Sequence, residues 1–117
     1  MKLRSWPLTA ALAVTALLLP AQAASAKTDP PSCPKGSVCF WSEEGFHGDR
    51  WEWQASIDYR DMPTNLHDHV GSFVASTRAC FTNWDTWEKH EVNVGDSRSD
   101  YLGDFGARID GVGPNGC

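Results

Sequence analysis

The sequence predicts an all-β sandwich of two Greek-key motifs, and three observations carry that prediction. Gly, Asn, Asp and Pro punctuate the chain after residue 32, and no segment holds a helical apolar period beyond two turns. Several short segments alternate apolar and polar residues instead: Trp51 and Trp53 against Arg50 and Glu52, Phe73 and Ala75 against Val74 and Ser76, Val92 and Val94 against Glu91 and Asn93. Finally, the chain repeats itself weakly at a spacing of about 40 residues. Val38-Cys39-Phe40 returns as Ala79-Cys80-Phe81, and the apolar and β-branched pattern of Leu66–Phe73 returns in Phe105–Val112. That length holds four short strands, which make one Greek key, and two such keys can face each other.

The elements follow in chain order. Residues 1–26 read as a secretory signal peptide. Lys2 and Arg4 are followed by the apolar run Leu8–Leu19, and two small-x-small sites end at Ala23 and Ala26. The run is too short for a good membrane span. Export to the extracellular space is the expectation, with cleavage after Ala26. Residues 27–32 form a polar, Pro-containing lead, expected to be disordered. Residues 33–117 form the domain, with motif one at about 33–77 and motif two at about 78–117.

All fifteen acidic residues lie after the signal segment, which removes two of the ten basic ones. The acidic balance, without a basic cluster, excludes nucleic acid and stable membrane association as expected partners. A monomer is expected. Four cysteines in a small exported chain imply two disulfides. Three pairings are possible. The favoured one joins Cys33 to Cys39 across Pro34 and Gly36, which suit a tight turn, and Cys80 to Cys117.

The stretch Val38–Trp53 concentrates Phe40, Trp41, Phe46, Trp51 and Trp53. Within it, Trp41, Phe46 and Gly48 resemble the βγ-crystallin Greek-key signature, and Ser72 stands where that family places a Ser near its closing strand. The resemblance implies a folded-over hairpin in which Gly48 takes a positive φ, Trp41 packs on the hairpin and Ser72 hydrogen-bonds its backbone. In motif two the pattern departs: Lys89 stands at the Gly position and Gly111 at the Ser position. Trp87 is expected in the place of Phe46, as core, which leaves Trp84 as the exposed ring.

Cys33-Pro34-Lys35-Gly36-Ser37-Val38-Cys39 followed by Phe40, and then Phe46-His47-Gly48, further resembles small secreted actinobacterial proteins of the Streptomyces metalloproteinase-inhibitor family. That resemblance implies stoichiometric inhibition of a secreted metalloprotease by a rigid loop, without turnover or cofactor. The inhibitors' short disulfide-closed reactive loop has no counterpart in motif two. The candidate binding segment is therefore Thr82–Glu91, with Trp84, Asp85 and Trp87, ahead of the small loop closed by Cys33 and Cys39. The alternative reading is a structural or killer-toxin-like antagonistic protein acting at cell envelopes.

No catalytic signature is present, and an enzyme is not expected. No metal site is expected either. Of the family's calcium ligands, Asp68 and Ser72 remain in motif one, whereas Gly106–Gly111 keeps none and adds the positive charge of Arg108. An extended chain would put His67 and His69 on one face, with Asp68 turned away from both.

Overall fold

The computed structural model describes residues 29–117. The expected signal peptide, and the first two residues of the lead, lie outside the described residues. Motif one supplies β1 (Ser37–Glu43), β2 (His47–Gln54), β3 (Arg60–Asp61) and β4 (Ser72–Ala75). Motif two supplies β5 (Ala79–Asn83), β6 (Glu88–Val92), β7 (Ser97–Arg98) and β8 (Gly111–Pro114). Short 3-10 turns at Ala55–Ile57 and Phe105–Ala107 join them.

Two four-stranded antiparallel sheets result, in the orders β2-β1-β4-β7 and β3-β8-β5-β6. Each motif lends its shortest strand to the other's sheet. The two-residue strand β3 pairs with β8 and the two-residue β7 pairs with β4. Neither half closes its sheet alone, which is why the repeat comes as a pair.

The core lies between the sheets and is built from alternate residues of each strand. Val38, Phe40, Trp53, Phe73, Ala75, Ala79, Phe81, Val92 and Val112 face inward, and loop residues Leu66, Val70, Tyr101, Phe105 and Ile109 close the ends. Phe81 packs on Phe40 at 5.3 Å and on Phe73 at 5.2 Å between ring centroids. Each fully buried ring contributes about 1.5–3 kcal/mol of apolar burial. The aromatic stretch is thus divided. Phe40 and Trp53 are core, Trp51 stacks on Phe40 at 5.7 Å, and Trp41 with Phe46 forms a smaller cluster beside Cys39 and Val74.

The disulfides join Cys33 to Cys39 and Cys80 to Cys117. The first ties the start of the domain to β1 and the second ties the C-terminus to β5.

Two expectations shift. Val92 is buried, but Val94 is exposed, because β6 ends at Val92 and the chain turns through Asn93–Asp96 with Gly95 at a φ of 96°. The final extended piece that the sequence suggests over Arg108–Val112 becomes a strand only from Gly111, because Phe105–Ala107 coils first.

Candidate functional site

The first hairpin sets the standard against which the second departs. β1 and β2 meet with a register shift between Trp41 and Glu43, so that Trp41 pairs with Arg50 and Glu43 with His47. Gly48 takes a φ of 86° there, and an added Cβ would collide with Ser42 Oγ and Glu43 Cγ. Phe46 precedes β2 with a φ of 64° and turns its ring edge onto Trp41 at 5.3 Å. Ser72, fully buried, accepts a hydrogen bond from the Phe46 N–H at 2.9 Å and donates to the Glu43 carbonyl at 2.8 Å. One hydroxyl from β4 therefore ties both arms of the fold-over.

The second hairpin is rebuilt. Thr82 pairs with Lys89 and Asn83 with Glu88, with no register shift, which leaves Trp84–Trp87 as a four-residue tip. Without the bulge no residue is needed at positive φ in the strand, and Lys89 has none. The segment Thr82–Glu91 is accordingly mostly strand, and only its tip is free to present side chains.

Trp87 precedes β6 as Phe46 precedes β2, with a φ of 56°. The expected burial does not follow. Thr82 pairs with Gly111 as Trp41 pairs with Ser72, so a threonine stands where the ring that receives Phe46 would be. With no ring to pack on, Trp87 is 69% exposed, and Trp84, expected to be the exposed ring, is 37% exposed.

Trp84 is held on three sides. Its backbone N–H donates to Asp110 Oδ2 at 2.6 Å, its indole Nε1–H donates to the Tyr59 hydroxyl at 2.8 Å, and the His67 ring meets it edge-on at 5.2 Å. Asp110 takes over, one residue earlier, the anchoring that Ser72 performs in motif one. Gly111 has a different reason: the Tyr59 ring lies where its Cβ would stand. The Asp85 N–H donates to Asn83 Oδ1 at 3.1 Å, which braces the tip from within. Burial pushes the Tyr59 phenol above its ordinary pKa, although its hydrogen bond with Trp84 acts in the opposite direction.

Two open cavities flank Trp84. One, of about 400 Å³, is lined by Tyr59, Asp61, Thr82, Trp84, Trp87 and Lys89. The other, of about 540 Å³, is lined by Asp68, Asn83, Asp85, Arg108 and Asp110 among others.

The histidine expectation changes here. Residues 67–68 lie in a turn, with Asp68 at a φ of 59°, not in an extended chain. His67 Nδ1 is 3.5 Å from Asp68 Oδ2, and its Nε2 is 3.1 Å from Asp110 Oδ1. Asp68 therefore faces His67 instead of turning away. Burial, and then the neighbouring Asp110, hold the Asp68 carboxyl above its ordinary pKa. Arg108 does not neutralise the pair; its guanidinium binds Glu88 at 3.1 Å and the Asp104 carbonyl at 3.3 Å. Sequence reasoning missed Asp110 and Tyr59. Nothing in their local pattern distinguishes them, since Tyr59 reaches Trp84, and Asp110 reaches His67, across the motif boundary.

The molecule is a two-Greek-key sandwich of the βγ-crystallin fold. A solved structure of the eye lens βγ-crystallin domain fold superposes with a TM-score of 0.54 at 17% identity, over 73% of this chain and 91% of that one. The chain belongs to peptidase inhibitor family I36, whose model matches residues 26–90. Its curated relatives come from Dictyostelium discoideum, not from actinobacteria. An uncharacterized gerABC family protein is 46% identical over 87 residues, covering 74% of this chain and 79% of the relative. Spore germination protein 1 is 32% identical over 95 residues, covering 77% and 75%.

Proposed function

We propose that the protein is exported and inhibits an extracellular metalloprotease stoichiometrically, presenting the tip Trp84–Trp87 to the enzyme. The observation that carries this reading is the pairing of exposure with rigidity at one place. Trp87 projects into solvent, while Trp84 beside it is fastened through Asp110, Tyr59 and His67. A preorganised tip avoids the ordering cost of binding, and an exposed tryptophan next to a cavity is the kind of anchor that dominates interfaces. Asp85, exposed on the tip, offers a carboxylate to a cationic site on the enzyme. No turnover is involved, and occlusion of the protease cleft is the whole mechanism. Membership in a peptidase inhibitor family supports the reading.

The test is a titration of the purified protein against a panel of secreted proteases, thermolysin-type enzymes included. Loss of metalloprotease activity that saturates at one inhibitor per enzyme is expected. Full protease activity throughout the panel, with growth inhibition of intact cells instead, would favour action at cell envelopes.

A further inference from the structure

His67 and Asp68 belong to motif one and Asp110 to motif two, yet they converge on one point. Each offers a ligand atom, and those atoms all lie within 4.8 Å of one another. We propose that His67, Asp68 and Asp110 hold a divalent transition-metal ion of the zinc class. The inference goes beyond protease inhibition and stands whether or not a protease binds.

Geometry is the first support. Zinc binds imidazole nitrogen and carboxylate oxygen at about 2.0–2.2 Å, which places tetrahedral ligands about 3.3 Å apart. His67 Nε2 and Asp110 Oδ1 are 3.1 Å apart. Asp68, an exposed side chain, has an oxygen 3.5 Å from the other ring nitrogen, Nδ1, and its ligand atom lies within 4.8 Å of the other two, so its side chain turns toward Nε2 to complete the set. The open cavity bordering Asp68 and Asp110 admits the ion and leaves room for a water as fourth ligand.

Charge is the second. Two carboxylates face a single imidazole, and the guanidinium that lines the same cavity, Arg108, is committed to Glu88 and the Asp104 carbonyl. The third is support from the surroundings. Asp110 is 5% exposed, and its other oxygen, Oδ2, accepts the Trp84 N–H at 2.6 Å. That bond orients the carboxylate and leaves Oδ1 for the ion, as outer-shell partners do at metal centres.

The donor set selects the metal. Calcium gathers six to eight oxygens, and three side chains, one of them an imidazole, do not supply them. Three protein ligands and a water suit zinc. His69 is not part of the group; Asp110, from the other motif, is the partner of His67.

The test uses the untagged protein and the metals alone. Calorimetric titration with zinc sulfate should give one site of micromolar affinity, with calcium chloride at least tenfold weaker. Cobalt(II) should give the intense visible bands of tetrahedral coordination. His67→Ala, at a half-buried position, and Asp68→Asn, at an exposed one, should each weaken zinc by roughly tenfold or more, while His69→Ala leaves it unchanged. Equal zinc affinity in the wild type and His67→Ala would overturn the proposal. So would calcium bound as tightly as zinc, or no one-to-one site at all. Because these readouts involve no protease, a failed inhibition assay and a failed metal titration are separate results.

Discussion

Phe46 and Trp87 share a left-handed backbone, φ 64° and 56°, at the same place in their two hairpins, and end in opposite surroundings. Phe46 packs on Trp41; Trp87 finds Thr82 in that position and projects into solvent. The loss of one receiving ring converts a fold-stabilising residue into a displayed one.

Trp87→Ala should therefore weaken protease inhibition by roughly tenfold or more, as truncation of an interface anchor does, with a melting temperature within a few degrees of wild type. Phe46→Ala should do the reverse, lowering stability and sparing inhibition. Equal effects of the two changes on both measurements would remove the distinction.

Ser72→Ala should cost about 1–3 kcal/mol, because it leaves the Phe46 N–H and the Glu43 carbonyl without their shared partner. Chemical denaturation monitored by tryptophan fluorescence measures it. A loss well below that range would show that the hydroxyl is dispensable to the hairpin.

Gly48→Ala combines a positive φ of 86° with a collision against Ser42 and Glu43, and should cost at least about 1 kcal/mol. Lys89→Ala, exposed on β6 and without positive φ, should be close to neutral. The pair of melting temperatures checks whether the second hairpin has dispensed with its glycine.

The Cys80–Cys117 bridge closes a loop with a sequence separation of 37. In the chain-entropy account that closure is worth about 3–4 kcal/mol, so Cys80→Ala/Cys117→Ala should melt about ten degrees or more below wild type. A scanning-calorimetry shift of a degree or two would contradict it.

Acid should destabilise the fold through Asp104 and Glu91. The Arg98 guanidinium, and then the Phe105 N–H, hold Asp104 below its ordinary value of 3.8, and the Arg78 guanidinium holds Glu91 below 4.5. Groups depressed in the folded state add stability that is present above those ordinary values and lost as pH falls through the folded ones. Stability measured from neutral pH downward should hold until the ordinary carboxylate range and then fall. Asp104→Asn should flatten that slope, and an unchanged slope would contradict its assignment.

Much of this protein was determined by its sequence alone. Alternating strands, the repeat of Cys-Phe at its spacing, and the Trp41, Phe46, Gly48 and Ser72 pattern specify a sandwich of two Greek keys, because period-2 burial and a required positive φ are local properties that leave a mark in the residues themselves. The tertiary structure decided the second hairpin and the candidate site. Trp87 and Lys89 read as a degraded copy of Phe46 and Gly48, and only the pairing of Thr82 with Lys89 shows a hairpin without the register shift, which needs no glycine at the second position. Asp110 and Tyr59 act on Trp84 from separate motifs, and His67 meets Asp110 from the other half of the chain. Contacts of that kind depend on how the two keys face each other, and that packing brings together residues whose local sequences carry no trace of their partners.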